Sequence, residues 1–395
     1  MPNDCGHLVR LAAERAARNA RVPLVLAVSG GLDSMALLGA MDDVAHGQIA
    51  AVATFDHGTG AAATVAARHV CRAAAQRGLP VVSARADRHV AATAGREAAW
   101  REQRWRFLRA AAAGRDAMVA TAHTEDDQIE TVLMRTMRGS GARGLAGLRT
   151  DTDVLRPFLD VRRSQLASYA LAAGLEWVED PSNASSDFFR NRVRHDVLPA
   201  LRSVQADFDD GLLDIARRAA ELRREIERFV DERVKPTVVA GHSVRVASQD
   251  IVGFDRSSLA VLWGAVAGRA GLALDRRGTR RIAEFTMCGR SEGHIPLAGG
   301  WCLEATRASY ILKRDDVMRS PPVSLPVRGA VQWGPFRFRV VNVMAPPSVW
   351  AASISPPEGA VVRIWSAGDR LAPAAGQPRR RVSRYLSDVG LRGRE

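Results

Sequence analysis

Ser29-Gly30-Gly31-Leu32-Asp33-Ser34 follows the apolar run of residues 24–28 and precedes Met35-Ala36-Leu37-Leu38. That order predicts a buried strand, a tight glycine turn and a helix start. Two glycines let the backbone approach an anion closely and aim N–H groups at it. The helix N-terminus contributes the positive end of its dipole, and Ser29 and Ser34 contribute hydroxyls. The chemistry such a turn supports is capture of a phosphate or pyrophosphate. It has neither the Gly-Lys-Ser/Thr ending of a Walker A loop nor the Gly-x-Gly-x-x-Gly spacing of a dinucleotide-binding turn. A plain connector fits the glycine pair alone about as well. The strand before it and Asp33-Ser34 after it tilt the reading toward phosphate.

A second group begins at His123 and continues Thr124-Glu125-Asp126-Asp127-Gln128-Ile129-Glu130-Thr131. Asp127 and Glu130 stand at i and i+3, Asp126 and Glu130 at i and i+4, so either pair shares one helix face. Acidic residues also suit a first helical turn, but three carboxylates exceed what capping needs. Such a set suits Mg²⁺ or an ammonium group. Arg101 and Arg104 upstream, and Arg190 and Arg194 downstream, sit at helical spacing. Each pair reads either as an anion-contacting face or as a solvated one. Residues 138–145, Arg-Gly-Ser-Gly-Ala-Arg-Gly-Leu, read as a flexible arginine-bearing loop that orders on RNA or ATP, or as an ordinary connector.

These residues need a scaffold that brings them together. Apolar runs at residues 24–28, 49–55, 80–84 and 117–122 alternate with helical patterns. That rhythm predicts an α/β fold with a doubly wound parallel sheet. Ligands of such sheets bind beyond the carboxyl ends of the strands, where Ser29, Asp33, Asp56, His57 and His123 all fall. Residues 1–203 are expected to form this catalytic domain. A solvated, charged linker helix from about Asp207 to Val234 would open a smaller middle α/β domain, residues 204–318. Residues 319–395 would form a β-containing C-terminal domain.

The chain has 395 residues and a formal net charge of +13, with a pI near 10.9. The excess favours a polyanionic partner without specifying its sequence. Lys235 and Lys313 are the only lysines; arginine supplies the rest. Cys5, Cys71, Cys288 and Cys302 form no Cys-x-x-Cys pair. A disulfide framework, a zinc knuckle and an iron–sulfur site are therefore not expected. No apolar run approaches a membrane span. No signal-peptide core precedes the amphipathic pattern of residues 8–20, and a cytoplasmic location is expected.

In order along the chain come residues 29–34, Asp56-His57-Gly58, residues 97–105, 121–131 and 138–148, Asp180-Pro181-Ser182-Asn183 and residues 190–194. That series resembles the tRNA(Ile)-lysidine synthetases of the N-type ATP pyrophosphatase superfamily. The resemblance is close over residues 1–203 and loose beyond. Thr124 stands where many members carry a second histidine. The resemblance implies an adenine nucleotide alpha hydrolase-like fold. It implies a ligase that uses ATP, Mg²⁺ and free L-lysine to convert the wobble cytidine of a CAU-anticodon isoleucine tRNA into lysidine. Ser29, Gly30, Gly31, Asp33 and Ser34 would grip pyrophosphate, with Asp56, His57, Arg101 and His123 completing the ATP site. Asp33 and Asp126 would face the metal. Asp33, Asp127, Glu130 and Arg194 would carry the chemistry, with Asp127 and Glu130 handling the lysine amine. Residues 365–370 and 379–386 resemble the family's C-terminal domain, whose chain usually continues further, so a truncated end is expected. No protein partner is implied, and a homodimer stays open. The main rival is another adenylating enzyme of the superfamily, such as a tRNA 2-thiolase, which generally needs reactive or cluster-binding cysteines.

Overall fold

The computed structural model describes residues 2–58, 60–86, 96–149, 154–179, 189–239, 243–289 and 292–314. Further on it describes residues 321–326, 328–333, 336–340, 360–363, 369–371, 379–382 and 384. The chain divides into two compact units, Met1–Arg223 and Arg224–Glu395. The division lies inside a helix, beyond the break expected at residue 203. The break expected after residue 318 falls outside the described residues.

In the first unit, β1 (Leu24–Ala27), β2 (Ile49–Asp56), β3 (Val81–Arg85), β4 (Met118–Thr121) and β5 (Val154–Leu155) form one sheet. Its order is β3-β2-β1-β4-β5, with every pairing parallel. This is the doubly wound α/β arrangement the alternating pattern predicts. β5, only two residues long, had no legible signal.

Both sheet faces are buried, which is why β1 reads as an unbroken apolar run. Leu24 and Leu26 point into a core shared with α1 (Pro2–Asn19), α2 (Leu32–Ala45), α3 (Ala61–Gln76) and α7 (Arg163–Ala172). Val25 and Ala27 point to the other face and pack with Leu108, Ala111 and Ala112 of α4 (Arg96–Ala113). The strand order reverses direction between β1 and β4, the place where such sheets open a crevice. Register then fixes what meets there. Ala27 pairs with Thr121, so Ser29 and His123 each lie two residues past the same level.

α5 (Glu125–Met137), α6 (Ala142–Leu145), α8 (Phe189–Arg192), α9 (Leu198–Val204) and α10 (Phe208–Phe229) complete the unit. Ile129, Val132 and Leu133 of α5 pack with Val193, Leu198, Leu212, Leu213 and Ala216. Ala219 and Ala220 of α10 cover Ala146. α10 is thus not the solvated linker the charge pattern suggested. Its apolar stripe anchors α5 and the chain after it.

The second unit holds an antiparallel sheet of β6 (Thr237–Val239), β7 (Ser243–Ala247), β8 (Gly293–Pro296), β9 (Trp301–Ala305) and β10 (Ser309–Arg314), in the order β6-β7-β10-β9-β8. α11 (Arg256–Arg269) and α12 (Arg276–Met287) cover it around Trp263, Ile282 and Leu312. Among the described residues three two-stranded pairs follow between residues 323 and 381. Among the described residues no helix is long and apolar enough to cross a membrane.

Candidate active site

The loop after β1 turns at Gly30, whose φ of 90° lies in the left-handed region. A Cβ there would meet the Ala66 carbonyl oxygen at 2.9 Å, so glycine is demanded twice over. The Ser34 hydroxyl ties the turn together. It accepts from the Ser29 and Gly30 amides, each at 3.1 Å, and donates to the Gly31 carbonyl at 2.8 Å. Ser34 therefore shapes the loop as well as offering an oxygen to it, and Ser29 Oγ lies 3.2 Å from Ser34 Oγ. Among the described residues no side chain caps α2. Its first-turn amides remain available to an anion.

Asp33, in that first turn, meets Arg163 at the start of α7. Arg163 Nε and Nη2 donate to Asp33 Oδ2 at 2.9 and 2.7 Å. Asp33 Oδ1 is buried and, among the described residues, has no hydrogen-bond partner. Burial raises the Asp33 carboxyl above its ordinary value despite the opposing charge of Arg163.

Across the crevice, Thr124 caps α5. The Asp127 amide donates to Thr124 Oγ1, and the Thr124 amide and hydroxyl donate to Asp127 Oδ2 at 2.9 and 3.0 Å. Thr124 is fully buried; departure from histidine leaves it a structural role, a cap. Asp127 Oδ1 turns the other way and accepts from Arg190 Nη2 at 2.9 Å. Burial alone would raise the Asp127 carboxyl; Arg190, the Thr124 amide and further cations hold it below its ordinary value. Glu130, 1% exposed, accepts from Arg190 Nε at 2.7 Å and from Arg194 Nε and Nη2 at 2.5 and 3.0 Å. Arg190 and Arg194 stand four residues apart and so share a helix face, at the point where α8 runs into a π-helical turn at Val193–Val197, a distortion frequent at functional sites.

Asp126 faces the start of α7, whose first residue, Arg163, also holds Asp33. Its Oδ2 accepts from the Arg163 amide at 2.8 Å and so caps α7. Asp56 Oδ1 accepts from the Gly58 amide at 2.7 Å and Oδ2 from Thr64 at 2.9 Å; it shapes the loop after β2. His57 packs edge-on against Phe55. His123 Nδ1 lies 2.8 Å from Thr121 Oγ1, and burial above all lowers its pKa to about 4. It is neutral near pH 7. The charge of Arg104 reaches His123, whereas Arg101 of α4 is exposed. Asp180-Pro181-Ser182-Asn183 lies outside the described residues.

Side chains of α5 hold the glycine-bearing segment that follows it. Gln128 Nε2 donates to the Ala146 carbonyl at 3.0 Å, and Gln128 Oε1 accepts from the Leu148 amide. Arg135 donates to the Gly144 and Gly147 carbonyls. Of the two readings of this segment, these bonds fit the connector. Arg163 is the residue that sequence reasoning missed. A cation in a first helical turn opposes the helix dipole, and that oddity was the available signal for a carboxylate partner.

A glycine turn at the strand-order reversal of a 3-2-1-4-5 parallel sheet is a doubly wound α/β arrangement, and residues 7–201 match the PP-loop domain family. A curated tRNA(Ile)-lysidine synthase of Thermobifida fusca is 40% identical over 224 residues, covering 55% of this chain and 68% of that protein. The chain belongs to the tRNA(Ile)-lysidine synthase family. The Solibacter usitatus relative is 38% identical over 54% of this chain and 47% of its own length. The Bradyrhizobium diazoefficiens relative is 41% identical over 51% and 57%. The matched span thus covers about half the length of several curated relatives.

Proposed function

We propose that this chain joins lysine to C2 of the wobble cytidine of a CAU-anticodon isoleucine tRNA, with ATP cleaved to AMP and pyrophosphate. The observation that carries the proposal is the joining of Asp33, beside an uncapped helix N-terminus, to the buried Asp127–Glu130 pair through Arg163. One side suits a polyphosphate and the other an alkylammonium. Family membership supports the pairing of those two ligands.

Cytidine O2 is a poor leaving group until it carries an adenylyl group. In the first step O2 attacks the α-phosphorus and pyrophosphate departs. The Ser29–Gly31 turn and the α2 amides would hold the departing charge, and Arg194 would offset it. In the second step the lysine ε-amine attacks C2 and AMP leaves with the oxygen. Asp127 and Glu130 would receive the ammonium and pass its surplus proton toward solvent, since a charged amine is no nucleophile.

The orphaned Asp33 Oδ1 fits a hard cation. Mg²⁺, held by Asp33 and with Asp126 the second candidate, would neutralise phosphate charge when bound. Asp56, His57, Arg101, Arg104 and His123 would line the rest of the ATP site. Residues 204–318 and 319–395 are read as tRNA-gripping parts, and the cytoplasm as the place of action.

Two substitutions separate the half-reactions. Asp33→Asn abolishes tRNA-dependent pyrophosphate release. Asp127→Asn retains tRNA binding but loses lysine incorporation; normal turnover in either variant contradicts its assignment.

A further inference from the structure

We propose that Arg163, Arg190 and Arg194 form a charge latch that closes the lysine site until a nucleotide opens it. The inference rests on reading Asp127 and Glu130 as the lysine-handling pair.

Three carboxylates, Asp33, Asp127 and Glu130, face these three guanidinium groups, so the closed cluster is charge-balanced. The acceptors of the lysine-handling pair are already taken. Glu130 receives three guanidinium N–H groups. Asp127 receives the Thr124 amide and hydroxyl on one oxygen and Arg190 on the other. Arg163 Nη2 and Arg194 Nη2 lie 3.8 and 3.6 Å from that second oxygen. An entering ammonium would add a fourth cation to a balanced, mostly buried set in which the Asp127 and Glu130 oxygens are already engaged, an unfavourable step.

The same guanidiniums are poised to move. Among the described residues, all their side-chain hydrogen bonds run through Nε or Nη2. The Nη1 edge of each remains for another anion. Arginine forks bind phosphate bidentately, and Arg163 already sits on the carboxylate next to the proposed phosphate turn. A triphosphate brings negative charge to the side of the cluster where Arg163 is anchored. Guanidiniums that shift toward it expose Asp127 and Glu130 oxygens, which the ε-ammonium then occupies. Nucleotide binding therefore precedes and promotes lysine binding. By linkage, lysine tightens nucleotide binding by the same factor.

The test measures binding of radiolabelled lysine to the full chain by equilibrium dialysis. A CAU-anticodon tRNA transcript is present throughout, with and without α,β-methylene ATP and Mg²⁺, which block turnover. The latch predicts lysine binding at least about tenfold tighter with the nucleotide. In Arg163→Gln, the gain shrinks to about twofold or less because binding without nucleotide improves; Arg163→Lys, with charge but no fork, falls between. Wild-type coupling alone decides the matter should Arg163→Gln fail to fold. Equal lysine affinity in both states overturns the latch and leaves the lysine site standing. No lysine binding in either state, with nucleotide still bound, overturns the reading of Asp127 and Glu130 itself.

Discussion

Glu130 carries a carboxylate where water barely reaches, held by two guanidiniums. Breaking a buried ion pair from one side strands the partner charge. Glu130→Ala should cost about 3–5 kcal/mol in chemical denaturation, well beyond a surface substitution. His123 makes a pH prediction. Its folded pKa is depressed to about 4 from an ordinary 6.5, so the unfolded chain takes up the proton first as pH falls. Its contribution is constant above about 6.5 and is lost progressively between 6.5 and 4. Thermal melts should decline across that window, and His123→Gln should make the decline shallower. Much of this site was legible. Glycine and serine at a strand end, and carboxylates at i and i+3, are local signals. Arg163 was not, because its meaning comes from a contact 130 residues away in sequence. Nor was the second task of Asp127, since a cap and a charged partner on separate oxygens leave one and the same letter in the sequence.

The turn after β1 and the helix after β4 are aligned by strand register, so their geometry is sensitive to local backbone. Gly30→Ala places a methyl against Ala66 at a φ of 90°. It should cost at least about 1 kcal/mol and weaken nucleotide binding more than it lowers the melting temperature relative to other glycine-to-alanine changes. Gln128 supplies both ends of the clamp on the chain after α6. Gln128→Leu should cost about 1–3 kcal/mol by leaving buried backbone groups unpaired, and hydrogen exchange should quicken at Leu148. Four of the five parallel strands followed from apolar runs between helical stretches. β5 escaped because two residues carry no period. α10 misled because its many charges hide an apolar stripe of Leu212, Leu213, Ala216, Ala219 and Ala220, and alanines contribute little contrast to such a pattern.

For the molecule as a whole, a net charge of +13 makes association with a polyanion strongly salt-dependent. tRNA affinity should fall by more than about tenfold between 50 and 200 mM salt, while free-lysine affinity measured with nucleotide bound should change far less. The positive charge is legible in the composition, while the proposal of tRNA as the polyanion rests on the family. On the proposed function, a phosphate turn and a carboxylate pair serve two half-reactions on one cytidine. That division is tested most directly by incubating the protein with ATP, Mg²⁺, radiolabelled lysine and an isoleucine tRNA carrying the CAU anticodon. Label should enter that tRNA in step with pyrophosphate release and should not enter methionine tRNA. Pyrophosphate release with no lysine in the tRNA, or no release at all with both substrates present, would contradict it.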